Sequence, residues 1–141
     1  MKFLIIVKAT RDSEAGMMPE DKLIAEMGKY HEELAAAGML LDGSGLQPTS
    51  KGWRIRYRGD ERSFVDGPFT ETTDLVAGYT LIQADSRETA LEWTRRYPNP
   101  AHRNGVGEIE VRQLFEFDDF EQTDAIRHMR DLGLPSQKEA G

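Results

Sequence analysis

The run KFLIIVKA at 2–9 is apolar on both of its sides. Phe3, Ile5 and Val7 alternate with Leu4 and Ile6, and successive side chains of a strand point to opposite faces. A strand of this kind predicts a central place in a sheet that is covered above and below. The run LVAGYTLIQA at 75–84 has the same character. Two such strands set the main constraint on the chain, because something must lie over each face of the sheet they share.

Two segments can supply one cover. PEDKLIAEMGKYHEELAAAG at 19–38 reads as a helix: Pro19 suits the first turn, Glu20 and Asp21 suit the positive end of the dipole, and Gly38 is a natural stop. Leu23, Met27, Tyr30 and Leu34 form one apolar stripe along it. DSRETALEWTRRYP at 85–98 reads as a second helix. Asp85 and Glu88 have the spacing of a capping box, and Ala90, Trp93, Thr94 and Tyr97 form the inward face. MLLDGSGLQP (39–48) starts as a strand and dissolves into glycines. GWRIRYRG (52–59) alternates Trp53, Ile55 and Tyr57 with Arg54, Arg56 and Arg58, which predicts a half-buried strand joined through GDER (59–62) to SFV (63–65). GEIEVRQLFEF (107–117) closes the sheet, and DDFEQTDAIRHMRDLG (118–133) predicts a polar helix. The order β-α-β-β-α-β predicts an α+β fold of the ferredoxin-like kind, an antiparallel sheet with two helices on one face. The helices leave the second face bare. A bare apolar face marks an association surface, so a homodimer packed sheet on sheet is expected.

The chain of 141 residues fits one domain. It has no cysteine, which excludes disulfides, thiol nucleophiles and thiolate metal sites. With 18 basic against 25 acidic residues its net charge is -7, which argues against nucleic acid as a partner. No apolar run is long enough to span a bilayer, so no membrane partner is expected. The opening MKFLIIVKATRD is too short an apolar run for a signal peptide, so a cytoplasmic location is expected. There is no phosphate-binding loop, no dinucleotide fingerprint and no nucleophile elbow. No cofactor and no metal are expected.

The residues that could carry chemistry gather around VDGPFTETTD at 65–74. Asp66 has two readings. As a turn former, its carboxylate bonds the backbone two residues on, while Gly67 and Pro68 set the chain direction. As a functional group, it stands at a strand end where a base or ligand contact is held in a fixed place. Phe69 is a core plug or a pocket wall. Glu71 and Asp74 read as caps of a short turn begun by Thr70. His31 lies about 80° around the helix from Leu23, at the border of the apolar stripe. It is either a boundary histidine or an acid/base that needs a nearby carboxylate. His102 and His128 form no metal spacing. Arg54 and Arg56 are solvated, meet an acidic row across a dimer, or bind an oxyanion. Tyr79 follows Gly78, a residue that permits close approach to the backbone.

KYHEELAAAGMLLDGSGLQPTSKG, VDGPFTETTDLVAGYTLIQADSRETALEW and GEIEVRQLFEFDDF together resemble the DGPF-domain branch of the YCII-related proteins. The resemblance covers roughly residues 1–120, which assigns 1–120 to one α+β domain and 121–141 to a polar helix and loose tail. It implies a dimeric α+β barrel of ferredoxin-like protomers. The wider group is similar to a few lyase- or dehalogenase-like enzymes acting on small ring-cleavage products, with a His–Asp pair as the proposed dyad. Counting back from the start of the next strand puts that histidine at Met27, one turn before His31. Two functions follow as expectations. The first is binding of a small polar or anionic molecule in a cleft beside the turn, with lyase- or hydrolase-type turnover: Asp66 and His31 are the catalytic candidates, and Gly67, Pro68, Phe69, Tyr79, Arg54 and Arg56 the ligand contacts. The second is a regulatory or protein-interaction module without chemistry, since some relatives are linked to sigma factors.

Overall fold

The computed structural model describes residues 1–70 and 74–138. Four strands form one antiparallel sheet: β1 (Lys2–Lys8), β2 (Leu40–Gly45), β5 (Val76–Gln83) and β6 (Ile109–Gln113), in the order β2-β5-β1-β6. Helices α2 (Asp21–Ala36) and α3 (Arg87–Thr94) connect β1 to β2 and β5 to β6. This is the ferredoxin-like arrangement that the order of elements predicts. The two doubly apolar runs become the two middle strands, with Phe3 opposite Ile82 and Ile5 opposite Thr80.

Phe3, Ile5, Tyr30, Leu34, Met39, Ile82, Ala84 and Ala90 form the core, with Trp93, Tyr97, Ile109 and Val111 packed against it. Both helices therefore lie on one face. Burying each large aliphatic side chain contributes about 1.5–3 kcal/mol before conformational entropy is subtracted. The stripe on α2 divides in two. Tyr30 and Leu34 are buried, whereas Met27 and Leu23, one and two turns earlier, stay half-buried. The N-terminal half of the stripe is thus free to line a cleft.

On the face away from the helices, alternation places Leu4, Ile6, Tyr79 and Leu81. Of these Leu81 is buried and the others are half-buried. Charged groups share this face. Glu110 is paired with Lys8 at 3.5 Å and Arg112 at 3.2 Å. Arg112 first, then Lys8, holds its carboxyl below the usual range. Lys2 is buried, and its ammonium donates to the carbonyl of Lys138, which ties the segment after residue 134 to this face.

Several local expectations need correction. The segment 52–65 does not join the main sheet. β3 (Trp53–Arg58) and β4 (Glu61–Asp66) pair only with each other around Gly59 and Asp60, and Gly59 has φ of 61°. Trp53, Ile55 and Tyr57 alternate as expected, yet they are exposed, because no layer among the described residues lies over them. A four-residue helix, α1 (Arg11–Glu14), follows β1; Thr10 and Ser13 cap it reciprocally. The polar helix near the C-terminus is α4 (Asp124–Asp131), shorter than 118–133. The cap of α3 is Ser86, whose hydroxyl accepts from the Thr89 N–H at 3.1 Å, and not Asp85. Ser86→Ala should therefore destabilise the protein by about 1 kcal/mol while Asp85→Ala stays near neutral, read by urea denaturation. The reading of Glu71 as a cap lies outside the described residues. No helix among the described residues is long and apolar enough to cross a membrane.

Candidate functional site

A cleft of about 1240 Å3 opens on the helix side of the sheet. Residues 13–19 and the first turns of α2 form one wall, β2 and the following segment 46–51 another, and β5 the floor. Most of its lining is apolar. Met17, Met18, Leu23 and Met27 come from the α1–α2 side, and Leu40 and Leu46 from the other. Methionine adapts to irregular shapes, which suits a pocket wall.

His31 is the central polar group. It sits one turn after Met27, and its Nδ1 lies 2.7 Å from the Met27 carbonyl. A carbonyl can only accept, so Nδ1 carries the proton. Nε2 lies 2.8 Å from Thr80 Oγ1. In the neutral ring Nε2 accepts, and the Thr80 hydroxyl donates to it. Thr80 is only 1% exposed and stands opposite Ile5 and Gly43 in the sheet. Gly43 keeps the pair open on the β2 side: a Cβ there would sit 3.8 Å from both His31 Nε2 and Thr80 Oγ1.

Two tyrosines frame this pair edge-on. Tyr97 is 6.2 Å from the His31 ring and 5.2 Å from Tyr30 by ring centres. Burial pushes the Tyr30 phenol up to about 12, helped by Tyr97, and its hydroxyl donates to the Trp93 carbonyl at 2.7 Å. Burial also raises Tyr97, against a smaller opposite effect of Thr80. Both phenols are therefore neutral at physiological pH.

The DGPF turn does not line the cleft; it braces the cleft's rim. The Gly67 N–H donates to the Gly52 carbonyl at 3.0 Å, and the Phe69 N–H donates to Thr49 Oγ1 at 3.0 Å. Thr49 in turn binds Glu14 twice, through its N–H at 3.1 Å and its hydroxyl at 2.5 Å. Glu14 belongs to α1, so its bonds to Thr49 join the two walls directly, and the turn holds Thr49 from the outer side. The Gly67–Pro68 peptide is cis. Phe69 is covered by the Arg54 guanidinium, 3.7 Å above its ring centre.

The candidates named from the sequence thus separate. His31 and Tyr79 are among the residues around the cleft, but the Tyr79 hydroxyl bonds Asp42 at 3.1 Å, and alternation puts its ring on the face opposite Thr80. Hydrogen bonding and charge from Asp42 raise its pKa. Asp66 ends β4, paired with Trp53, and is not among the cleft residues, so it does not form a dyad with His31. Arg54 is taken up by Phe69, and Arg56 is exposed on the hairpin. Gly67 and Pro68 belong to the brace. Gly78 does permit a close approach, but of the β2 backbone: a Cβ there would meet the Ser44 carbonyl at 2.9 Å. Thr80, Glu14 and Thr49 were missed. Thr80 had a signal, since it is the one hydrogen-bonding side chain in phase with the buried Ile82 within an apolar strand. Glu14 and Thr49 are 35 residues apart and had none. Among the described residues no group of three or more acidic or histidine side chains could hold a metal ion.

An antiparallel ferredoxin-like sheet with a histidine-bearing cleft beneath its first long helix defines a small α+β domain. The YCII-related domain profile matches residues 1–118, and the chain belongs to the YCII-related family. An uncharacterized protein from Rhizobium meliloti (strain 1021) is 28% identical over 95 residues, which span 67% of this chain and 75% of that protein. Among solved structures, 5-chloro-2-hydroxyhydroquinone dehydrochlorinase from Burkholderia phenoliruptrix AC1100, in complex with 2,5-dihydroxybenzoquinone, aligns with a TM-score of 0.47 at 16% identity. The alignment covers 86% of this chain and all of that one.

Proposed function

We propose that the protein binds a small, mostly apolar molecule carrying one hydroxyl or carbonyl group, with the polar group at His31 and Thr80. The observation behind this reading is the His31–Thr80 pair itself, a coupled donor and acceptor opening on a mostly apolar cleft. Such pockets gain affinity from apolar burial and orientation from a few placed polar groups. The DGPF motif, which argues for the DGPF branch of the family, acts here as a brace. The anionic ligand expected from Arg54 and Arg56 loses its support, because neither arginine lines the cleft. If turnover occurs, His31 is the acid/base: Met27 fixes its tautomer, so a proton arriving at Nε2 leaves both ring nitrogens as donors.

The test uses phenol and toluene, which match in size and differ in the hydroxyl. Calorimetry should show phenol binding more tightly than toluene to the full chain. His31→Leu should remove about tenfold of that preference, the worth of one hydrogen bond in a buried site. Equal binding of the two probes, or an unchanged preference in the variant, would sink the reading.

A further inference from the structure

The cleft is larger than its polar centre needs. At about 1240 Å3 it exceeds the roughly 300–1,000 Å3 usual for a ligand pocket, so a single ring at His31 and Thr80 leaves much of it to water. Its length can be read from the sheet. Thr80 stands opposite Gly43, and β2 then runs to Gly45, opposite Gly78, and on to Leu46, whose N–H donates to the Ala77 carbonyl at 2.7 Å. Beyond lies the tight turn Thr49–Lys51. Glu14 fixes that turn to the end of the sheet where β1 stops, because Lys8 pairs with Val76 and α1 follows directly. Val76 is four residues from Thr80, roughly 13 Å of strand. Met17, Met18, Leu23 and Leu46 line the cleft, and its far rim carries Ser50 and Lys51.

The charges around the cleft are unevenly satisfied. Its two carboxylates are taken up inside the protein. Glu14 accepts from Thr49 on both oxygens. Asp42 accepts from the Gly43 N–H at 2.8 Å on one oxygen and from the Tyr79 hydroxyl at 3.1 Å on the other. Lys51 is the one lysine or arginine among the lining residues, and among the described residues no carboxylate pairs with it. It is exposed, so its ammonium is open to a ligand. We infer that the ligand is an amphipathic acid: a hydroxyl or carbonyl head at His31 and Thr80, an apolar body along the methionine wall, and a carboxylate at Lys51. The inference rests on the reading of His31 and Thr80 and extends it to the other end of the cleft. The anion contact that Arg54 and Arg56 do not provide is provided by Lys51. An ammonium is a point charge on a flexible stem, so it meets a carboxylate without a fixed geometry. An exposed ion pair is weak, so the apolar body supplies most of the affinity. The pair sets the preference for an acid over a neutral molecule of the same shape.

Calorimetry on the full chain with para-hydroxyphenylbutanoate and its amide tests this. The two probes match in shape and differ in charge. The acid should bind about fourfold tighter than the amide, the upper part of what an exposed ion pair supplies. Lys51→Gln should abolish that preference, and raising sodium chloride should shrink it in the wild type. Because the readout is a ratio of two affinities in one protein, general damage to the cleft cancels. Equal binding of acid and amide by the wild type, a preference unchanged in Lys51→Gln, or one indifferent to salt would overturn the inference. Phenol preferred over toluene, together with equal binding of acid and amide, would leave the proposed function standing and remove this extension of it. Equal binding of phenol and toluene would sink both.

Discussion

Gly67→Ala is expected to lower the stability of the protein by about 3 kcal/mol or more, and the midpoint of thermal unfolding by roughly 10 °C. A Cβ built on Gly67 stands 1.8 Å from the Thr49 carbonyl oxygen and 2.6 Å from its carbon. Both are backbone atoms, so no side chain can swing away to relieve the clash. The turn must separate from the 49–52 segment. That separation breaks the Gly67–Gly52 bond and the Phe69–Thr49 bond, and it disturbs the grip of Glu14 on Thr49. Each hydrogen bond is worth about 1 kcal/mol, and the three together set the estimate. The same change at Gly43 meets its nearest atom at 3.5 Å, an ordinary contact, and should be tolerated. Differential scanning calorimetry of the two variants gives the comparison. A Gly67→Ala midpoint within a degree or two of the wild type would show that the turn does not bear on the rim in this way.

The four-stranded sheet and its two helices were legible because periodicity reports burial, and burial here follows the protomer. The doubly apolar character of 2–9 and 75–84 placed both strands at the centre, and the stripe on 19–38 found the core-facing side of α2. The hairpin misled for the same reason. Its alternation is that of a half-buried strand, yet Trp53, Ile55 and Tyr57 are exposed, with no layer over them among the described residues. The site was half legible. His31 stood out as a titratable group at the edge of an apolar stripe. Its partner lay in a strand that read as uniformly apolar, where a lone threonine looks like a β-former. The Glu14–Thr49 contact depends on two loops meeting over 35 residues, and no local pattern encodes it. Asp66 drew attention through its motif. A motif of turn formers fixes a chain direction, and here the fixed object is the Thr49 segment.

Thr80→Val is the second variant expected to have a large effect, and its two consequences should diverge. The substitution keeps the shape of the side chain and deletes the hydroxyl that donates to His31 Nε2 at 2.8 Å. Thr80 is fully buried, so the lost bond costs stability, but valine recovers part of it through its extra methyl group. The net loss should be about 1 kcal/mol. His31 is only half-buried and faces the cleft, so its Nε2 can take a water from the cleft side instead. The ring keeps its tautomer, because the Met27 carbonyl still holds the Nδ1 proton at 2.7 Å. What changes is the binding of a polar probe. In the wild type an incoming hydroxyl meets an imidazole nitrogen and a threonine oxygen at once. In the variant it meets the nitrogen alone, in competition with a new water. Phenol affinity should fall about tenfold and toluene affinity should rise slightly, since the floor of the cleft becomes more apolar. Calorimetric titration of both probes separates this from a general loss of the pocket, which would weaken them together. If the two affinities moved in parallel, Thr80 would be a packing residue and the pair would not be the polar centre of the site.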